Sequence, residues 1–207
     1  MAFDSSSSKP AVTMHPSDDT HDSGAYAEHL SDVNKTKAVV ANTDIVNDKG
    51  IVLLRKGQNV SQEIVQRIVQ HKLLRPIEDS VIISGTLDAD KLITTMKTRL
   101  SNAAHKKLWV EYDLEPEIKR CCDFLFQFPI LAQKLTVLSL QMRKDYDKAI
   151  VVAWFSLAVS QFMKLPPEDR ANLFVAALMH DIGMLHIPRE ITTKKDNLTP
   201  VEWRAIK

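Results

Sequence analysis

From Asp88 onward the sequence runs almost without glycine, Gly183 being the exception, and that scarcity constrains the fold more than any other feature. Glycine is the residue that most readily takes the backbone angles of tight turns, so a long stretch without it favours continuous helix. Apolar residues recur there at helical spacing. Leu92, Met96 and Leu100 follow one another every four residues, on one face. The same periodicity predicts helices over residues 115–126, 129–142, 144–163 and 167–180. Residues 88–207 are therefore expected to form an all-helical domain, entered through a polar helix whose Lys97, Arg99, Lys106 and Lys107 make up its solvated face. No internal repeat is evident.

The preceding stretch has a different grammar. Ile45-Val46 and the apolar run from Ile51 to Leu54 flank Asn47-Asp48-Lys49-Gly50, turn chemistry in which Gly50 can take a positive φ, and this predicts a hairpin. Gly57 closes the second strand. Ser61 stands where its hydroxyl can cap a helix carrying Ile64, Ile68 and Val69, and residues 81–83 supply another short strand. Residues 37–87 thus form a small α+β module. Residues 1–36 are rich in Ser, Asp, Thr and His, with few large apolar side chains to offset the entropy of ordering them, and are expected to be a disordered tail. Its histidines, His15, His21 and His29, are expected to be solvated.

With 207 residues, 44% of them hydrophobic, the chain can bury one ordinary core and a small second one. The 27 basic and 26 acidic residues leave a formal charge of +1, too little to steer the chain to a nucleic acid duplex or an anionic membrane. The run from Ala149 to Met163 is shorter than the roughly 20 residues needed to span a bilayer, and it contains Ser156, Ser160 and Gln161. Cys121 and Cys122 are adjacent, an arrangement that seldom reaches disulfide geometry. The first ten residues have no apolar signal segment. A cytoplasmic location is expected.

The chemistry concentrates where a predicted helix ends, at Ala176-Ala177-Leu178-Met179-His180-Asp181-Ile182-Gly183. Close packing through Ala176 and Ala177 is expected to fix that helix, and Gly183 to take the left-handed cap conformation. Neutral imidazole and carboxylate both bind divalent manganese, iron or zinc, and a rigid helix end can aim them at one ion. Such an ion can polarise a phosphate and lower the pKa of an attacking water.

That block, followed by Ile187-Pro188 and by Leu198-Thr199-Pro200-Val201-Glu202-Trp203, resembles the HD-GYP subfamily of the HD superfamily of metal-dependent phosphohydrolases. Its best-known members hydrolyse cyclic di-GMP. The resemblance implies a mainly α fold with a helical HD core, a divalent metal cofactor (Fe, Mn or Zn), a cyclic dinucleotide or other phosphodiester substrate, and His180 and Asp181 as metal ligands. The 37–87 module resembles a small domain often found ahead of such cores, with a regulatory or packing role.

The sequence departs from the family in three places. The family's first core helix, matching residues 146–163, carries a further metal-ligating histidine. Its place here falls near Asp147 or Lys148, and Asp147 is the residue of the two that can offer an oxygen ligand. A lysine thought to contact substrate phosphate is replaced by Met184, for which His186 is a candidate stand-in, as ligand or as phosphate contact. The family's later ligands and its Gly-Tyr-Pro signature follow the helix that begins at Thr199, so the HD domain is expected to be incomplete at Lys207. Two hypotheses follow. In one, the full-length protein is a phosphodiesterase and this chain alone turns over negligibly. In the other, the HD fold persists as a degenerate module that dimerises or binds a signalling partner. A change of substrate to another phosphate ester is a weaker third option, because fold does not fix chemistry.

Overall fold

The computed structural model describes residues 23–100 and 114–206. Residues 1–22 of the expected tail, with His15 and His21, and Lys106 and Lys107 of the expected solvated face lie outside the described residues. The described chain is mainly helical, with a few short antiparallel strands.

The small strands form as their turn residues dictate. Strand β1 is Val39–Ala41, β2 is Ile45–Val46 and β3 is Val52–Leu54. The β2–β3 hairpin turns at Asn47–Gly50, where Gly50 has φ 76° and the Asn47 side-chain oxygen accepts from the backbone N–H groups of Lys49 and Ile51. Helix α2, Gln62–Val69, is capped by the Ser61 hydroxyl, as its position predicts, and buries Val65 and Ile68. A 3₁₀ turn, Ile77–Ser80, leads into β4, Val81–Ile83, which pairs antiparallel with β1 so that Val39 faces Ile83 and Ala41 faces Val81.

One expectation fails here. The segment predicted to be a disordered tail contains helix α1, Ser23–Val33. Tyr26, Ala27, Leu30 and Val33 recur at helical spacing and are wholly buried, and His29 is only 3% exposed. The composition of residues 1–36 concealed this stripe, because an 11-residue helix is marginal in isolation and is held by the surfaces that receive it. Helix α1 packs on α2, on β1 and on the 3₁₀ turn, and also reaches the helical half of the chain.

That half consists of α3 (Ala89–Leu100), α4 (Glu115–Leu125), α5 (Pro129–Gln141), α6 (Arg143–Phe162) and α7 (Pro167–Met179). The last four lie within a residue of the ends that periodicity assigns at nearly every terminus. Proline opens α4, α5 and α7 within their first two positions, where a missing N–H costs nothing. Helices α6 and α7 make the most extensive helix pairing, and α6 buries Tyr146, Ile150, Trp154 and Leu157. After α7 come a second 3₁₀ turn (Ile182–His186), α8 (Arg189–Thr192) and α9 (Pro200–Ile206).

One continuous apolar cluster runs from Tyr26 in α1 through Ile68 and Ile83 to Trp154, Phe174 and Leu185. The module at 37–87 and the helices from 88 onward therefore share a core. Polar bonds cross the same boundary: Leu87 N–H donates to Thr136 Oγ1 at 2.9 Å, and Gln133 Nε2 to the Glu78 carbonyl at 3.0 Å. No single helix among the described residues is long and apolar enough to cross a membrane.

Candidate functional site

Helix α7 delivers His180 and Asp181 to the protein surface, where it ends. The helix does not end as Gly183 led us to expect. Gly183 has no positive φ, and Asp181, at φ −103°, hands the chain directly into the second 3₁₀ turn. A continued i→i+3 turn uses the last carbonyls of the helix, so no left-handed cap is needed. Close packing runs through Ala177 and not through Ala176, which is exposed.

The two side chains do meet. His180 Nε2 lies 3.0 Å from Asp181 Oδ2, with the two side chains 31% and 28% exposed. His180 Nδ1 is 2.8 Å from the Ala177 carbonyl oxygen, which can only accept, so Nδ1 carries a hydrogen. A backbone carbonyl in that role is the usual means of orienting a metal-binding imidazole. It leaves Nε2 facing a carboxylate oxygen, two lone-pair carriers that need a cation or a proton between or beside them.

A cation is already supplied by the chain. Lys148 in α6 places Nζ 2.7 Å from Asp181 Oδ2, and this hydrogen bond holds the lysine's pKa above its ordinary value. Lys148 is one of the two positions at which the resemblance puts a ligating histidine. The other, Asp147, is 3.0 Å from Arg99 Nε and 3.3 Å from Arg143 Nε through Oδ1. Both guanidiniums approach off the hydrogen-bonding direction, so these are electrostatic contacts and not directed bonds. Asp147 is thus drawn toward two arginines, and the expectation that it joins His180 and Asp181 is not met.

His186 is likewise committed elsewhere. Its ring stacks on Tyr26 of α1, with centroids 5.1 Å apart, and Nε2 lies 3.6 Å from Glu78 Oε1 and 3.5 Å from Lys134 Nζ. Lys134 also bonds Glu78 at 3.0 Å. Burial alone would raise the Glu78 pKa, but backbone and Lys134 hydrogen bonds outweigh it and hold the carboxyl below its ordinary value. Beside this cluster, Arg189 Nη2 reaches Asp32 at 2.7 Å, Gln141 Oε1 at 2.6 Å and His29 Nδ1 at 3.0 Å. Burial, reinforced by the Arg189 charge, pushes the His29 pKa down to about 4. A buried histidine on α1 therefore works as a neutral acceptor, in contrast to the solvated residue expected from composition.

These positions give a direct test of whether the chain suits a divalent ion. His180 and Asp181 have the right chemistry and proximity. Among the described residues, however, no three His, Cys, Asp or Glu side chains converge as a ligand set. Two ligands, one of them already paired with an ammonium, do not fit the three or four protein donors that structural and catalytic metal sites commonly use. Sequence reasoning named the His-Asp pair but missed Lys148 as its partner, and missed Glu78, Lys134 and Arg189 altogether. Their partners lie tens of residues away, with no local motif to mark them.

The cysteines are no alternative centre. Cys121 and Cys122 are free, buried in α4, and pushed up to about 12 chiefly by burial, which leaves them unreactive thiols. Comparison with protein-family models, with curated proteins and with solved structures found no match to this chain.

Proposed function

We propose that this chain is a signalling module of the HD-GYP kind that binds partners without hydrolysing cyclic di-GMP. The observation that carries this reading is the Lys148–Asp181 contact of 2.7 Å, which sets an ammonium against the carboxylate at a position the resemblance gives to a metal ligand. An exposed ion pair of this kind is worth at most about 1 kcal/mol, so by itself it would yield to a tightly bound metal. The pair is the stable arrangement among the described residues, where no third His, Cys, Asp or Glu side chain converges with it to compensate the lysine's displacement. Met184, in place of the family's lysine, also removes a positive charge that would face substrate phosphate. The reading places the module in the cytoplasm, with a protein or a second copy of the chain as partner and no role for duplex nucleic acid or membrane.

The phosphodiesterase reading keeps one observation in its favour. The His180 Nδ1–Ala177 contact leaves Nε2 directed to the Asp181 carboxylate, the orientation that ligation of manganese, iron or zinc would require. Elemental analysis and calorimetric titration with Mn²⁺ separate the two. No stoichiometric metal and no cyclic di-GMP turnover are expected. Stoichiometric metal lost in His180→Ala, together with turnover lost in Asp181→Ala, would establish the hydrolase instead.

A further inference from the structure

Helix α6 presents a second face that the site above does not use. Val152, Phe155, Val159 and Phe162 follow one another at intervals of three, four and three residues, the spacing of a helix–helix seam. Phe155 is 48% exposed, Val159 46% and Phe162 73%, and Met163 and Leu173 extend the surface on either side. Val151, Val152, Phe155, Ser156, Val159 and Leu173 line a shallow groove of about 380 Å³ that holds no charged side chain. Exposed apolar residues scattered singly need no explanation, but a contiguous stripe does.

We propose that this stripe is a self-association surface, on which α6 of one copy packs antiparallel against α6 of a second copy. The inference is independent of the metal question and adds a definite partner to the proposed module. Three features select a second copy. The stripe is nearly palindromic. Antiparallel pairing sets each Phe155 against the partner's Val159 and each Val152 against the partner's Phe162, so that an aromatic ring meets a β-branched side chain at all four layers. Such an isologous contact closes on itself as a pair.

Area is the second feature. Aromatic side chains carry roughly 200 Å² each, so the exposed parts of the stripe amount to on the order of 600 Å² per copy. Two copies together would bury ~1,200 Å², the lower bound of a standard specific interface. Helix polarity is the third. Antiparallel pairing opposes the two helix dipoles favourably, whereas parallel pairing sets like helix ends together.

Sedimentation equilibrium on the whole chain, across the micromolar range, tests the surface. We expect a monomer–dimer equilibrium that Phe155→Glu and, separately, Val159→Lys shift to monomer by at least tenfold in Kd, with helical circular dichroism unchanged. Because both side chains face solvent in the single copy, neither change should prevent folding. Cross-linking tests the direction. Phe155→Cys chains should form interchain disulfides when mixed with Val159→Cys chains and not when oxidised alone. A wild-type chain that stays monomeric would assign the stripe to some other occupant and overturn the proposal. So would a dimer that both charged variants leave intact, or Phe155→Cys chains that cross-link to themselves.

Discussion

Two polar clusters lie within ten residues of each other along the chain after α7, and they are built in opposite ways. At His180 and Asp181 the side chains are partly exposed and bond to each other, with Asp181 also bonded to Lys148 of α6. At His186 and Arg189 the side chains are clasped by α1 and by the 3₁₀ turn ahead of β4, through Tyr26, His29, Asp32 and Glu78. Ligand-type residues thus occur in both, but only the second is embedded in a shared network. Buried polar groups are costly unless satisfied, so a network of this density fixes the relative placement of the elements that supply it. The pair that looks catalytic is the loosely held one, and the cluster without a motif is the one that ties the two halves of the molecule together.

Undocking α1 should have the largest effect. Leu30→Ala empties a fully buried position, and we expect it to lower the unfolding free energy by about 3 kcal/mol in urea denaturation, within the range for core Leu→Ala changes. A loss below ~1 kcal/mol would mean that α1 adds little to the shared core. Acid should act through the same contact. The unfolded chain protonates His29 below its ordinary value of 6.5, whereas the folded chain resists until about pH 4. The stability that neutral His29 permits is therefore complete above pH 6.5 and is lost as pH falls from 6.5 toward 4, by about 3 kcal/mol. Asp32 and Glu78, whose carboxyls are held low, add their losses only in stronger acid. His29→Asn keeps an acceptor for Arg189 and cannot titrate, so its stability should vary less over that window. An unchanged pH profile in the variant would assign the acid sensitivity to other groups.

The exposed cluster should respond weakly. Lys148→Ala is expected to change stability by less than about 1 kcal/mol, because both partners of the pair are open to solvent. A larger loss would place Lys148 in a network like that of Arg189. Smallest of all is Gly183→Ala. The glycine has no positive φ, and an added Cβ meets nothing within 4 Å, so thermal unfolding should be unchanged or raised by a few tenths of a kcal/mol.

Local chemistry was legible wherever a residue's partners lie close to it in sequence. The Asn47–Gly50 turn and the Ser61 cap appear as their residues predict, and α9 opens on a reciprocal cap between Thr199 and Glu202. In the last, Thr199 N–H donates to Glu202 Oε2 at 2.6 Å, and Glu202 N–H donates to Thr199 Oγ1 at 3.3 Å. Lys194 and these bonds pull the Glu202 carboxyl down to about 2. Helix α1 was missed because its wholly buried apolar positions, Tyr26, Ala27, Leu30 and Val33, are few beside the polar residues around them, and their value depends on surfaces far along the chain. For the site, the sequence supplied the adjacent His180 and Asp181 but misplaced Asp147 and His186. Adjacency guarantees proximity, whereas convergence across 33 residues, as between Lys148 and Asp181, depends on how α6 lies against α7.

Residue order alone was enough for the helical class, the boundaries of the four helices from Glu115 to Met179 to within a residue, the hairpin, and the meeting of one imidazole with one carboxylate. These are consequences of periodicity, turn chemistry and short-range geometry. Packing alone settled that α1 joins the core, that His29 is buried and neutral, and that Lys148 reaches across to Asp181. Each of those outcomes comes from side chains brought together by packing over long separations, and no spacing along the chain encodes such contacts directly.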